Sequence, residues 1–438
     1  MAPSIETRDS DDFRLVSHAP PPEWVAKQVM YQVMPDRFAR SAAVDARPVP
    51  AWAQPAQWGD APIGSGPATS RQFFGGDLDG IAEHLDQLER LGATLLYLTP
   101  FFPGASNHRY DAHSFDAVDP VLGGDAALER LVGAAHERGI RVIGDLTTNH
   151  TGDGHEWFRA AHRTPDAPEG AFYYWRDPRH EQYESWLGVP SLPKLDWRSP
   201  ELRRRFIEGE DSVVARWLRP PYSLDGWRID VANMTGRFGD HDVNGEVRRT
   251  LRRTMEQVNP DTVPIGEITH DTARFAGYAL AGAVPVAVGL SVALPGIPVV
   301  FAGDELGQTG VNGEYSRTTM PWPSIDEHRA SIEQHAALIA LRRQKPALSS
   351  GGLRWLHAEA DAVVFIRETP GQSVLLCAAR ADVRIELPTS AFSGHAHRLV
   401  GNARLEGHRV TSQGMSFTAW SLPGVHVPEF GNPRVPSA

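Results

Sequence analysis

What most constrains this chain is an alternation that begins at Val29. Apolar, strand-like runs lie at Val29–Phe38, Thr94–Phe102, Arg141–Thr147, Asp225–Ala232, Val263–Ile268 and Pro298–Glu305, each with polar residues gathered at its C-terminal end. Helical patterns lie between them. From Asp77 to Leu91 the residues Leu78, Ile81, Leu85, Leu88 and Leu91 recur at spacings of 3 and 4, which puts them on one helix face. Asp125–Arg138 runs into Gly139, a favourable helix end, and Pro200–Leu218, Val243–Val258 and Glu327–Arg343 give further helices. Strands alternating with helices make a parallel sheet, and polar residues collected at strand C-termini are how a TIM-type (β/α)8 barrel presents its site.

The strand ends supply a specific set of groups. The third run ends in Asp145-Leu-Thr-Thr-Asn149-His150, the fourth in Arg228-Ile-Asp230, and the fifth in Gly266-Glu267, with His270 and Asp271 close behind. In Asp225-Gly-Trp-Arg-Ile-Asp230, Trp227 and Ile229 share one face, Arg228 and Asp230 the other, and Gly226 leaves room for close backbone approach. A guanidinium beside Asp230 is expected to hold the carboxylate ionised and oriented, as a nucleophile requires. An isolated Arg-x-Asp is usually a structural ion pair; the other strand ends give this one its interest. Two or three carboxylates with His and Arg at one rim suit glycoside cleavage, in which one carboxylate attacks the anomeric carbon and another protonates the leaving oxygen. Strands lie about 4.8 Å apart. Asp230 and Glu267 on neighbouring strands therefore match the roughly 5–5.5 Å separation of retaining enzymes. Glu267 follows an apolar strand, and desolvation would raise its pKa as a general acid needs.

Composition narrows the class. A net charge of −11 argues against nucleic acid and anionic membrane partners. A lone cysteine, Cys377, excludes an intrachain disulfide and suits a reducing, cytoplasmic compartment. Met1–Trp24 carries five acidic residues and no apolar core, so no signal peptide is expected. Phe275–Gly303 holds no charged residue, but Pro285, Pro295 and Pro298 interrupt it, and it reads as a buried helix followed by a buried strand, with no membrane span. The 12 tryptophans are numerous, and aromatic faces in a cleft suit sugar rings.

Four divisions follow. Residues 1–25 and 430–438 read as disordered tails. Residues 26–346 form the barrel, with an inserted subdomain at 151–199 that is too long for an ordinary loop and rich in Trp, Tyr, Pro and Asp. There, Trp157, Phe172, Tyr173, Tyr174 and Trp186 are candidates for a stacking wall, although most such residues form a small core. Residues 347–429 carry short β-like runs (Leu353–Trp355, Ala362–Arg367, Ser373–Ala378, Val383–Leu387, Met415–Leu422) parted by Gly, Pro and Asp, the pattern of an antiparallel β-sandwich.

In order along the chain, these stretches resemble the α-amylase family, glycoside hydrolase family 13, from about Val29 to Trp322. Asp145-Leu-Thr-Thr-Asn-His150 is similar to the family's first conserved region, Gly226-Trp-Arg-Ile-Asp230-Val-Ala-Asn233 to the second, Gly266-Glu267 to the third and His270-Asp271-Thr-Ala-Arg274 to the fourth. Tyr31-Gln-Val-Met-Pro-Asp-Arg-Phe38 and Pro298-Val-Val-Phe-Ala-Gly-Asp-Glu305 resemble its first and last barrel strands. Leu192-Pro-Lys-Leu-Asp196 is similar to a motif of neopullulanases and cyclomaltodextrinases. The resemblance implies a retaining hydrolase of α-1,4-linked maltodextrins, with no cofactor. Asp230 is then the nucleophile, Glu267 the acid/base and Asp271 the third catalytic carboxylate, binding sugar hydroxyls. His150 and His270 bind hydroxyls, Arg228 holds Asp230, and Tyr110 stacks on the sugar. Asp145 and Asn149 are expected to be structural.

Three features depart from the family pattern. Only about 28 residues precede the first strand, so the N-terminal β-domain of neopullulanases is expected to be absent. The loop Ala39-Arg-Ser-Ala-Ala43 offers few oxygen ligands, so no metal is expected there. Third, Glu267 and His270 are three residues apart, and only 29 residues, Thr269–Ile297, separate the fifth and last strands. A βαβ unit takes about 30 residues or more. The expectation is a barrel missing about two βα units, and the alternative to an active hydrolase is a catalytically impaired or non-catalytic glucan-binding relative. Oligomeric state is not legible in the sequence.

Overall fold

A computed structural model describes residues 21–268, 284–310, 313–392 and 394–422. Its central element is a parallel sheet built from β1 (Met30–Val33), β2 (Leu95–Leu98), β3 (Arg141–Leu146), β4 (Gly226–Ile229), β5 (Val263–Gly266) and β6 (Val299–Phe301). Their order is β6-β1-β2-β3-β4-β5, with every neighbouring pair parallel. All six expected strands are present, each shorter than its apolar run. Pro35, with no N–H to give a ladder, ends β1 and opens a helical turn, Pro35–Phe38. A turn at Asp304–Leu306 likewise follows β6. Among the described residues β5 and β6 form the two edges of the sheet and do not pair with each other.

Two glycines set how closely the central strands approach. A Cβ on Gly226 would stand 2.1 Å from the Val263 carbonyl oxygen of β5. One on Gly144 would stand 2.6 Å from the Trp227 ring and 2.7 Å from Phe101. Trp227 therefore lies flat over β3, fully buried, stacked on Phe101 and Phe102 and donating from Nε1 to the Val214 carbonyl. The opposite face of β4 carries Arg228 and Asp230 inward, as the alternation requires.

The helices on the outside of the sheet are more broken than their periodicity suggests. The pattern from Asp77 to Leu91 divides into α1 (Leu78–Glu83) and α2 (Leu85–Leu91). His84 leaves helical geometry between them, its Nδ1 bonded to the Gly80 carbonyl and its ring 4.0 Å from Trp322. The apolar face survives the break, because Leu78, Ile81, Leu85, Leu88 and Leu91 are all fully buried. Pro200–Leu218 likewise divides into α4 (Pro200–Phe206) and α5 (Val213–Arg216), parted by Gly209 in the left-handed region (φ 78°), with Ser199 and Ser212 capping the two pieces. The patterns at 125–138, 243–258 and 327–343 appear as α3 (Gly124–Glu137), α6 (Asn244–Val258) and α8 (Arg329–Gln344). Of the uncharged run 275–303, the described part gives α7 (Val284–Ala293) and β6. That strand is buried only on its inner side, since Val299 at the edge is 44% exposed. Among the described residues no helix is long and apolar enough to cross a membrane.

C-terminal to the barrel sheet are two antiparallel sheets. The larger contains β7 (Gly352–Ala358), β8 (Ala362–Thr369), β9 (Gln372–Ala379), β11 (His397–Val400) and β14 (Ser416–Leu422); the smaller contains β10 (Val383–Glu386), β12 (Arg404–Glu406) and β13 (Arg409–Ser412). The polar segments 397–400, 404–406 and 409–412 gave no sequence pattern, because they are short and mostly polar; the first two are edge strands, while 409–412 is the middle strand of the smaller sheet with Val410 and Ser412 buried. The larger sheet is covered on both faces. Val364, Ile366, Leu375, Cys377 and Trp420 pack inward with Val410 of the smaller sheet, while Phe365, Val374, Leu376 and Ala419 join the core that includes Val292 and Ala293 of α7. This is why β8 and β9 read as continuous apolar runs.

Candidate active site

Strand register places the polar residues side by side. Asp145 of β3 is level with Arg228 of β4, and Ile229 is level with Gly266 of β5, so Asp230 and Glu267 follow as neighbours at the C-terminal rim. Arg228 joins three carboxylates. Nη1 contacts Asp145 Oδ2 at 2.9 Å and Asp230 Oδ1 at 2.9 Å, and Nη2 contacts Glu267 Oε1 at 2.8 Å. A single guanidinium, only 13% exposed, thus ties together the ends of three adjacent strands.

Each carboxylate has a different surrounding. Asp145 is fully buried and accepts hydrogen bonds from Tyr97 Oη (2.5 Å) and Tyr110 Oη (3.1 Å) besides Arg228. Burial raises its pKa, and Arg228 and the two hydroxyls pull it back. Asp230 is 7% exposed. Burial, then the Asp145 charge, push it up to about 7, and Arg228 only partly offsets them. Arg228 does stand beside Asp230 and pulls its pKa down as expected, but one cation shared among three carboxylates offsets the burial only in part. Glu267 differs again. Its side chain is 36% exposed, and Oε2 accepts the Val231 N–H at 2.9 Å. Val231 stands in the left-handed region (φ 37°), a strained position for a β-branched residue directly after Asp230. Among the described residues Glu267 is thus the more exposed of the two rim carboxylates and Asp230 the more buried.

The remaining predicted residues divide. Tyr110 is half-buried, with the Arg228 guanidinium 5.9 Å from its ring centre. His150 is buried, with Nδ1 3.2 Å from Asn149 Nδ2 and Nε2 without a hydrogen-bond partner among the described residues. Burial, then the nearby Lys194 ammonium, lower its pKa to about 3. His270 and Asp271 lie outside the described residues. Asp145, read as structural, bonds Arg228 directly and belongs to the cluster. Two residues were given no role at all. Tyr97 sits in an apolar strand, where a tyrosine passes as core. Lys194 lies in the motif that carried part of the family resemblance, and only the fold brings it to Asn149.

The aromatic wall is resolved into packing and rim. Trp157, Phe172 and Tyr173 are buried in the core that the inserted segment shares with the barrel, where Trp157 meets Phe115, Phe172 and Phe206 edgewise or tilted. Tyr174 packs on Phe238 and His241 and lies under the Arg198 guanidinium. Trp186, half-buried with its ring 6.0 Å from His150, is the member of the set that flanks the predicted site.

The alpha amylase catalytic-domain model matches residues 32–258, the part of the chain that contains this cluster's first two strands and the second-region motif. The chain belongs to the α-amylase family of glycoside hydrolases. It is 29% identical to a cyclomaltodextrinase of Geobacillus thermopakistaniensis, over 84% of this chain and 71% of that protein. It is 28% identical to neopullulanase 2 of Thermoactinomyces vulgaris, over 81% of this chain and 69% of that one. Among solved structures, the ligand-free cyclic α-maltosyl-(1→6)-maltose hydrolase of Arthrobacter globiformis superposes with a TM-score of 0.74 at 25% identity, covering 92% of this chain and all of the other. The fold is accordingly of the α-amylase type, with a parallel barrel-type sheet and antiparallel C-terminal sheets.

Proposed function

We propose that this chain hydrolyses α-1,4-linked maltodextrins with retention of anomeric configuration. The observation that carries the reading is the Arg228 cluster, which draws Asp145, Asp230 and Glu267 together at the C-terminal ends of three adjacent strands, where barrel enzymes hold their chemistry. Asp230 attacks the anomeric carbon, and Glu267 protonates the leaving oxygen and then activates water. Asp271 and His270, by position in the family motif, and His150 and Tyr110 hold the sugar ring. Arg228 keeps the two reacting carboxylates apart in orientation. The relatives named above for cyclomaltodextrin and pullulan hydrolysis favour an α-glucan as substrate.

An activated fluorosugar that traps the glycosyl-enzyme, followed by peptide mass spectrometry, tests the assignment. Label on the peptide containing Asp230 is the expected result. Label on Glu267, or an inverted product anomer by NMR, overturns it. A second reading, a barrel missing about two βα units and therefore impaired, is favoured by the edge strands β5 and β6, with residues 267–298 between them offering room for about one crossover. Maltotriose turnover far below the ordinary glycosidase range of about 10 per second, with binding retained by calorimetry, is its signature.

A further inference from the structure

Outside the carboxylate cluster, the inserted segment is zipped to the loop after β3. His150 and Lys194 form an antiparallel bridge, Leu195 N donates to the Asn149 carbonyl at 3.0 Å, and Thr151 N donates to the Pro193 carbonyl at 3.2 Å. This pairing carries the Lys194 side chain inward, where it is 5% exposed. Its Nζ contacts Asn149 Oδ1 at 2.5 Å and the Met234 carbonyl at 3.2 Å. Asn149, itself fully buried, reaches His150 Nδ1 through its other side-chain atom at 3.2 Å.

The chemistry of these groups fixes every proton in the row. An ammonium has donors and no acceptor, so the Asn149 atom facing Lys194 is the amide oxygen. The atom facing His150 is then the amide nitrogen, also a donor. His150 Nδ1 must accept, and a neutral imidazole with an accepting Nδ1 carries its hydrogen on Nε2. Two charge states are required, and both hold near neutral pH. Burial lowers Lys194 only to about 8, leaving it a cation, while burial and the Lys194 charge hold His150 at about 3, leaving it neutral against the weaker opposite pull of the Tyr110 backbone. Nε2 is the one ring atom left without a partner among the described residues.

We propose that Lys194 is a positioning residue of this site: through the Asn149 amide it locks His150 in the Nε2–H tautomer, so that His150 meets a substrate hydroxyl as a hydrogen-bond donor. The tautomer stands on the geometry of the row together with those two charge states; the hydroxyl contact rests on the function proposed above.

Proton-detected nitrogen NMR of the full chain with 15N-labelled histidine, His150 assigned by its loss in His150→Gln, reads the tautomer directly. At pH 7 the native protein should show a protonated Nε2 and an unprotonated Nδ1. Asn149→Asp keeps a partner for Lys194 but offers His150 only acceptors, so it should reverse the two nitrogens. Lys194→Met should give a mixture of tautomers, and Lys194→Arg should restore the native pattern. A native protein protonated at Nδ1, or an Asn149→Asp spectrum like the native one, overturns the relay. In the same variants, KM for maltotriose should rise about tenfold or more wherever the tautomer is lost, equivalent to about 1.4 kcal/mol. Reversed nitrogens with an unchanged KM would support the relay and sink the sugar contact instead.

Discussion

Strand β4 has an aspartate at each end, and the two are built in opposite ways. Asp225, just before it, is held by a surplus of donors: Arg141 Nη1 at 2.8 Å, His136 Nε2 at 2.8 Å and the Val142 N–H at 2.7 Å. Asp230, just after it, shares one guanidinium with two other carboxylates and is pushed up to about 7. The first arrangement satisfies a charge and stabilises the sheet's N-terminal side. The second leaves a charge under-satisfied, which is unfavourable for folding and useful for chemistry. Arg228 and Arg141 are equally arginines beside aspartates; Arg141 serves two carboxylates, Asp225 and Asp261, against three at Arg228, and Asp225 has donors besides its arginine.

The sharpest way to break the comparison is to neutralise each aspartate. Asp230→Asn should abolish nearly all maltodextrin turnover, a loss of several orders of magnitude, and at the same time stabilise the fold. The sign follows from linkage. A carboxyl raised in the folded state binds its proton more tightly there than in the unfolded chain. It therefore contributes stability at low pH that is lost as pH rises from about 4 to about 7. Removing the charge should recover on the order of 2 kcal/mol above pH 7, visible as a higher denaturation midpoint that shrinks towards pH 4. A lowered midpoint at pH 8 would mean that Asp230 is as well satisfied as Asp225.

Asp225→Ala should do the reverse, costing about 2 kcal/mol by removing one of the two carboxylate partners of Arg141 (Asp261 stays at 2.8 Å) and stranding His136 and the Val142 N–H, with kcat per folded molecule little changed. Denaturant titration alongside active-site titration separates the two effects. A collapse of kcat at full folding would show that both ends of β4 serve the reaction.

The pH dependence of kcat/KM gives a third contrast. Since attack needs the ionised carboxylate, the rate should rise with pH through about 7 rather than near 4. An acidic limb below pH 5 would place another group in control.

The smallest expected effect lies at the rim. Trp186→Ala should raise KM for maltodextrins a few-fold without moving the thermal midpoint, whereas Trp157→Ala should destabilise by about 3 kcal/mol, as a core aromatic does. Equal destabilisation by both would return Trp186 to packing.

The sequence by itself determined the strands, their parallel pairing and the polar residues at their ends. Those follow from short-range periodicity: a run such as Arg141–Leu146 is apolar because both faces of the sheet are covered, and Gly226 is required because β5 approaches it. Arg228 and Asp230 were legible as a pair because they lie two apart on one strand. The sequence could not say how many carboxylates that arginine would serve, since Asp145 and Glu267 reach it from 83 residues before and 39 residues after. Nor could it place the deeper burial among the described residues on Asp230 rather than Glu267, because desolvation depends on what packs around each group in space. Lys194 and Asn149 are 45 residues apart and meet only once the inserted segment folds back on the rim. Tertiary structure decided these matters because charge state and proton position depend on distance through space, and residue spacing along a chain carries no record of it beyond a few positions.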